Sequence, residues 1–222
     1  MSATSLNRKQ AIIILAVLGW VIEANCAAAQ DAKEMNLQAI KLQSEGKLAQ
    51  AAELYKKAIK ESPAAAAYHN NLALVSKDMQ QFDLAEQEER MALKLKPKRA
   101  DYHFNLGIIL EKENKLVEAE AEFRESSAAD PMDTESHFRL AQLLSQSGKL
   151  TEAEQELKLA VMMKPDDSSY HKSLGDVLLK QGHREEEALN EYRTALTNAP
   201  AAGVSGDLQN KIDYLKQVLK TR

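Results

Sequence analysis

The 222-residue sequence combines 44% hydrophobic with 28% charged residues, a composition typical of a soluble protein that can bury a sizeable core. Aromatic residues make up only 5%, whereas Ala, Leu, Glu, Lys and Gln are abundant, and this composition favours helices over strands. The formal net charge is −4 and no dense basic run is present, which argues against nucleic-acid binding.

Residues 1–29 have the pattern of a secretory signal peptide. Arg8 and Lys9 precede an uninterrupted apolar run over residues 11–22, and the alanines at 27–29 are the small residues that a signal peptidase accepts. The apolar run is shorter than the roughly 20 residues that cross a bilayer core as a helix. We therefore expect cleavage after residue 29 and a periplasmic or secreted mature protein.

The alternative at the N-terminus is an uncleaved segment that anchors the chain in a membrane. Glu23 and Asn25 disfavour this alternative because they interrupt the apolar stretch. Cleavage would remove Trp20 and Cys26, the only tryptophan and the only cysteine, so packing rather than disulfide bonds must stabilise the mature protein. The absence of any Asn-x-Ser/Thr sequence favours a bacterial envelope over a eukaryotic secretory route.

The five prolines of the sequence are evenly spaced. Pro63, Pro97, Pro131 and Pro165 follow one another at intervals of 34 residues, and Pro200 follows after 35. Self-similarity at a period of roughly 20–50 residues is typical of stacked repeat architectures. The period predicts five repeats, which cover residues 32–65, 66–99, 100–133, 134–167 and 168–202.

Small residues recur at fixed positions of this 34-residue frame. Position 8 is Ala39, Ala73, Gly107, Ala141 and Gly175, and position 20 is Ala51, Ala85, Ala119, Ala153 and Ala188. This pattern resembles the tetratricopeptide repeat, a helix–turn–helix unit with small residues at these two positions, over almost all of residues 32–202. The resemblance implies an all-α fold, an α-solenoid of five helix–turn–helix repeats.

The apolar periodicity within a repeat also predicts two helices. In the fourth repeat, apolar residues recur at intervals of three and four, which is the period of a helix with one buried face. They are Leu140, Ala141 and Leu144 in the first helix and Leu150, Ala153, Leu157 and Ala160 in the second. Residues that tolerate a left-handed backbone mark the intervening turns. They are Gly46, Asn114, Gly148 and Gly182. Thr151 and Glu154 have the spacing of a capping box at the second helix.

Residues 203–222 predict a C-terminal capping helix. Leu208, Ile212, Leu215 and Leu219 form one apolar stripe at helical spacing, with polar residues elsewhere. A cap is expected because stacked repeats depend on their neighbours to cover apolar faces.

Four of the five histidines, His69, His103, His137 and His171, occupy position 4 at intervals of 34 residues. Such regularity suggests the hypothesis of a metal site, and with it the hypothesis of an enzyme that uses these histidines. A metal site needs ligands that converge on one ion, whereas equivalent side chains on stacked parallel helices project side by side about 8–10 Å apart. We therefore expect the imidazoles to fill a packing position, without a metal or another cofactor.

Catalytic motifs give no support for an enzyme. The mature chain has no cysteine, and neither a Gly-x-Ser-x-Gly elbow nor a phosphate-binding glycine loop is present. The glutamates at 118, 120, 122 and 125 are interpreted as a solvated helix face. We predict no catalytic residues.

The resemblance implies that the first helices of the repeats line a concave groove. The residues that we expect to contact a ligand there are Asn70, Asn71, Phe104, Asn105, Ile108, Phe138, Arg139 and Lys172. Leu74, Lys112, Gln142, Ser173 and Asp176 occupy further groove positions. Asparagine amides suit a peptide backbone, the two Phe side chains suit apolar anchors, and Arg139 suits a carboxylate. The alternative for the two Phe residues is packing between adjacent first helices.

The sequence thus predicts an exported, non-catalytic scaffold that binds a peptide or protein partner in its concave groove. It predicts no nucleic-acid partner, and no membrane contact after signal cleavage. The alternative is a membrane-tethered envelope assembly or secretion factor that retains its N-terminal anchor. The oligomeric state and the identity of the partner do not follow from the sequence.

Overall fold

The computed structural model describes residues 8–199 and 205–221, with only the backbone described for residues 8–25 and 205. In these ranges the chain forms eleven helices and no strands. Contacts divide it into two compact units, Met1–Pro97 and Lys98–Arg222.

The helices of both units are arranged as consecutive pairs that pack against each other. The first unit contains α1 (Arg8–Ser44), α2 (Leu48–Glu61), α3 (Ala66–Asp78) and α4 (Phe82–Leu95). The second unit contains α5 (Ala100–Lys112), α6 (Leu116–Ala129), α7 (Thr134–Gln146), α8 (Leu150–Met163), α9 (Ser168–Gln181), α10 (Glu185–Asn198) and α11 (Ser205–Lys220). Repeats one to five below are the pairs α1/α2, α3/α4, α5/α6, α7/α8 and α9/α10.

The turn inside each repeat contains a residue with a left-handed backbone. This was predicted for Gly46, Gly148 and Gly182, whose φ angles are 76°, 81° and 78°, and for Asn114, whose φ is 60°. Repeat two uses Gln80 with φ 61°, which was not predicted because glutamine is not typical of a left-handed turn.

Small residues allow the two helices of a repeat to approach closely. All five alanines at position 20 are fully buried. A Cβ atom on Gly107 would lie 2.7 Å from Cε1 of Phe123, and one on Gly175 would lie 2.7 Å from Cε1 of Tyr192. These two glycines are therefore required by the buried rings that face them.

The capping box predicted at α8 is wrong. The helix begins at Leu150, and its N-cap residue Lys149 makes no side-chain capping bond. The carboxylate of Glu154 instead accepts hydrogen bonds from Arg184, at the start of α10. Side-chain caps occur at α7 and α9, where Asp133 and Asp167 accept backbone N–H groups of the first turn.

The C-terminal helix α11 packs on α10, as expected of a cap. Leu208, Ile212 and Leu215 are buried, at 0%, 2% and 1% exposure, and Leu219 is half-buried. Residues 203, 204 and 222 of the predicted cap, and Pro200–Ala202 of the fifth predicted repeat, lie outside the described residues.

The first helix continues through the predicted cleavage site. Residues 1–7 of the predicted signal peptide lie outside the described range, and α1 extends without a break from Arg8 to Ser44. Ala32 is the first buried side chain among those described, and Cys26 and Ala29 are exposed. Within the described residues, no helix has the length and apolar character needed to span a membrane.

Candidate functional site

The predicted groove residues of the first unit are asparagines that bond to each other. Asn71 on α3 donates a hydrogen bond from Nδ2 to Oδ1 of Asn36 on α1, at 2.9 Å. Asn70 is buried and donates to Oδ1 of Asn71 at 3.4 Å. These amides therefore form a short polar row that links the first helices of repeats one and two.

Phe104 and Phe138 on the second unit are half-buried and pack against other rings. The Phe138 ring lies 4.8 Å from the ring of Tyr170 on α9, centroid to centroid. The Phe104 ring lies 5.7 Å from the ring of Phe123 on α6. Packing between adjacent first helices, the alternative raised from the sequence, thus holds for Phe138, whereas Phe104 packs on the second helix of its own repeat.

The two predicted basic groove residues form ion pairs. Arg139 Nε donates to Glu135 Oε1 at 2.9 Å, and its guanidinium lies 3.7 Å from Glu111. Lys172 Nζ lies 3.1 Å from Asp207 on α11. The remaining predicted residues, Asn105 and Ile108, are half-buried on α5.

A cavity of about 280 Å³ opens between α7 and α9. Its polar lining consists of Gln142, Ser145 and Gln146 from α7 and Ser173, Asp176 and Lys180 from α9, and Ala141, Leu157 and Val177 complete the wall. Amide, hydroxyl, ammonium and carboxylate groups provide donors and acceptors of the kinds that an extended peptide backbone requires.

The cavity extends the sequence prediction. Gln142, Ser173 and Asp176 were placed at groove positions from the sequence, whereas Ser145, Gln146 and Lys180 were missed. Lys180 Nζ donates to Ser145 Oγ at 2.9 Å, so the two residues bridge α7 and α9. The sequence could have indicated both residues, because Ser145 lies one helical turn after Gln142 and Lys180 lies one helical turn after Asp176.

Asp176, one of the lining residues, is bonded to groups on α10 and α11. The carboxylate of Asp176 accepts hydrogen bonds from the Tyr192 hydroxyl, at 2.6 Å, and from Lys211 Nζ on α11, at 2.5 Å. Burial, followed by the Asp176 carboxylate, raises the pKa of Tyr192, which therefore remains a hydrogen-bond donor.

The four regularly spaced histidines each pair with a glutamate on the second helix of the same repeat. The Nδ1–Oε2 distances are 2.6 Å for His69–Glu88, 2.7 Å for His103–Glu122, 2.6 Å for His137–Glu156 and 2.6 Å for His171–Glu191. The imidazoles fill buried or half-buried positions as predicted, but the sequence interpretation missed their polar partners. Among the described residues, no group of three or more His, Cys, Asp or Glu side chains is arranged to hold a metal ion.

A second set of ion pairs joins neighbouring repeats of the second unit. Glu120 on α6 accepts from Lys149 Nζ at 2.7 Å, and Glu154 on α8 accepts from Arg184 Nη1 at 2.6 Å. The Arg184 hydrogen bond, which outweighs the opposing effect of burial, lowers the pKa of Glu154 to about 2. Both glutamates occupy position 21, and both cations lie at the start of the next repeat's second helix.

The paired helices and their periodic packing define an all-α repeat protein. Two sequence models described as Tetratricopeptide repeat match the chain, one over residues 36–98 and 77–134 and the other over residues 110–177. Together these matches extend over residues 36–177, more than half of the chain. The chain therefore belongs to the tetratricopeptide repeat family, and the predicted fold class, an α-solenoid of such repeats, is confirmed.

Several solved structures share this fold. YrrB, a TPR protein with an unusual peptide-binding site, is 21% identical, with a TM-score of 0.69 and coverage of 86% of this chain and 93% of its own. Pseudomonas aeruginosa pilF is 19% identical, with a TM-score of 0.69 and coverage of 88% and 93%. MamA from Desulfovibrio magneticus RS-1 is 17% identical, with a TM-score of 0.70 and coverage of 76% and 94%. Comparison with curated proteins gave no significant match.

Proposed function

We propose that this protein is an exported, non-catalytic scaffold that binds a peptide or protein partner on the first helices of its repeats. The observation that carries the proposal is the polar cavity between α7 and α9. The exposed amide of Gln142 and the exposed ammonium of Lys180 lie at its edge, next to a floor that includes the small side chain of Ala141. YrrB, which shares the fold, has a peptide-binding site.

The chemistry of the cavity favours a partner that presents its backbone. Neutral donors and acceptors outnumber charges in the lining, and Asp176 is already bonded to Tyr192 and Lys211. An extended segment can exchange hydrogen bonds with Gln142, Ser173 and Gln146 without requiring a particular side chain. Specificity then has to come from residues that differ between the copies, such as Phe138 and Arg139.

A charge introduced into the cavity tests this assignment. We expect Gln142→Arg to reduce at least tenfold the recovery of a partner from envelope extract, because the longer cationic side chain fills the space between α7 and α9. Gln155→Arg is the matched control, since Gln155 is exposed on α8 and makes no part of the cavity lining. Equal recovery of the partner by both variants, with unchanged circular dichroism, would show that the partner does not bind in this cavity.

Export is supported by the charge and apolar pattern of residues 1–29 and by the exposure of the cleavage region. Cys26, Ala27 and Ala29 are exposed, and Ala28 is half-buried. Cleavage after Ala29 would leave Ala32 and every later buried residue in place. The mature protein would then keep the packed part of α1.

The alternative is a membrane-tethered assembly or secretion factor, in which the whole of α1 from Arg8 to Ser44 would be retained. Intact mass of the protein isolated from the envelope distinguishes the two. Cleavage removes Trp20, the only tryptophan, so we expect a mature protein without tryptophan fluorescence. A full-length mass together with tryptophan emission would establish the retained segment and contradict export by cleavage.

A further inference from the structure

The histidine–glutamate pairs hold the imidazole rings between two acceptors. In repeats two, four and five, Nδ1 faces the glutamate carboxylate and Nε2 faces the backbone carbonyl of the proline that precedes the repeat. The Nε2–O distances are 3.0 Å for His69–Pro63, 3.1 Å for His137–Pro131 and 2.8 Å for His171–Pro165. In repeat three, His103 Nδ1 faces Glu122 in the same way.

Two acceptors on one ring require an additional proton. A neutral imidazole carries a single N–H, whereas a carbonyl oxygen and an ionised carboxylate can only accept. Both hydrogen bonds therefore form only if the pair holds one proton more than a neutral histidine and an ionised glutamate. This count is the same whether the proton resides on Nδ1 or on the carboxylate, because the two groups titrate as a unit.

Loss of that proton would leave two acceptors in contact in a poorly solvated position. The lone pair of His137 Nδ1 would face Glu156 Oε2 at 2.6 Å, and the histidine side chain is only 7% exposed. Repulsion between unpaired acceptors is much stronger in a buried site than in water. The folded state therefore retains the proton to a higher pH than the unfolded chain does.

The groups around His137 favour retention of the proton. Glu156 comes from α8, and the Pro131 carbonyl and Asp133 come from the turn between α6 and α7. The Glu156 hydrogen bond, followed by the Pro131 carbonyl and the negative charge of Asp133, raises the pKa of His137 against the opposing effect of its burial. Within the described residues, no Lys or Arg forms an ion pair with any of the four paired glutamates.

We propose that repeat four takes up one proton, held by the His137–Glu156 pair, when it folds, so that the stability of this protein falls as the pH rises above neutrality. This pair lies in the second unit. The inference does not depend on partner binding, since the paired groups lie between the helices of each repeat. It makes the scaffold most stable in a mildly acidic environment.

The direction of the effect follows from proton linkage. An unfolded histidine releases its proton near pH ~6.5, and stability decreases with pH wherever the folded state binds more protons. The contribution is complete below that pH and is lost as the pH rises through the higher folded value. Within this window the deprotonation of the His137–Glu156 pair lowers the folding equilibrium constant by about tenfold per pH unit.

The variant Glu156→Gln removes the requirement for the additional proton while it keeps both hydrogen bonds of the histidine ring. The amide N–H of the glutamine can donate to Nδ1 of a neutral His137, while Nε2–H donates to the Pro131 carbonyl. We expect the full chain carrying this change to lose less stability than the wild type between pH 6.5 and pH 8.5 in urea unfolding. The difference should reach about tenfold per pH unit in the folding constant.

His183→Asn is the matched control, because His183 is exposed in a turn and its left-handed backbone suits asparagine. It should leave the pH dependence unchanged. If Glu156→Gln has the same pH dependence as the wild type, the proposal is wrong. If that variant does not fold, unfolding calorimetry of the wild type at pH 7.5 in buffers of different ionisation enthalpy decides. Release of about one proton on unfolding supports the proposal, and release of none overturns it.

Discussion

Repeats one and four build the same helix pair with different residues between the helices. Repeat four has His137 at position 4 and Glu156 at position 23, whereas repeat one has Met35 and Leu54 at these positions. Leu54 packs against the buried core of the first unit. The comparison teaches that a helix pair of this kind does not need an ionic pair at these positions, since an apolar pair occupies them within the same chain.

Removal of one partner in repeat four should have the largest effect. His137→Met leaves the Glu156 carboxylate, which is 21% exposed, without its ion-pair partner. Glu156→Leu leaves Nδ1 of a buried histidine without an acceptor. We expect each single change to lower the free energy of unfolding by about 2–3 kcal/mol in urea unfolding at pH 6.5.

The double variant His137→Met/Glu156→Leu copies repeat one. Because no polar group is left unpaired, it should lower the free energy of unfolding by less than about 1 kcal/mol. A double variant that is as unstable as the sum of the two single variants would show that the two repeats are not interchangeable at this position.

Position 8 gives a smaller effect. Gly107→Ala would place a methyl group 2.7 Å from the buried Phe123 ring. We expect a net loss of about 1–2 kcal/mol, because the steric overlap exceeds the gain of about 1 kcal/mol in helix propensity. Repeat four has Ala141 and Leu157 at the equivalent positions, so Gly107→Ala/Phe123→Leu should recover part of the loss in thermal unfolding. No recovery would show that the ring is not the obstacle.

Position 21 gives the smallest effect and an opposite pH dependence. Glu154 bonds to Arg184, whereas repeat one has Ala52 at this position. We expect Glu154→Gln to lower the free energy of unfolding by about 1 kcal/mol at neutral pH. The folded pKa of Glu154 is about 2, so its contribution is present above the unfolded pKa of ~4.3 and is lost as the pH falls from there through the folded pKa.

The measurement is urea unfolding of the wild type and Glu154→Gln at pH 7 and pH 3. The two proteins should differ less at the lower pH. A difference that grows on acidification would contradict the role given to the carboxylate.

The sequence predicts the helix pairs because the same packing contacts recur in every repeat. The alanines at position 20 and the glycines that face Phe123 and Tyr192 are fixed by close contact, and the turn glycines by backbone geometry. The histidine–glutamate pairs were also accessible from the sequence. Glu88, Glu122, Glu156 and Glu191 recur with the histidines, and repeat one has neither residue type at the two equivalent positions.

The candidate binding surface was less predictable. The sequence predicts a binding surface on the first helices of the repeats, but it does not predict that Arg139 and Lys172 form ion pairs with Glu135 and Asp207. These ion pairs depend on which exposed side chains lie close together in the folded protein, and the repeat spacing does not predict such contacts. The bond between Asp176 and Lys211 likewise joins α9 to a helix outside the repeat pattern.

Nitrogen-15 NMR of the histidine rings in the full chain tests the central difference between repeats one and four most directly. At pH 7.5, we expect His137 to show the signature of a ring that hydrogen-bonds through both nitrogens, with the shared proton detected in its contact with Glu156. His183, exposed in its turn, serves as the internal reference for a solvated ring. Spectra in which His137 is neutral and indistinguishable from His183 would contradict the account.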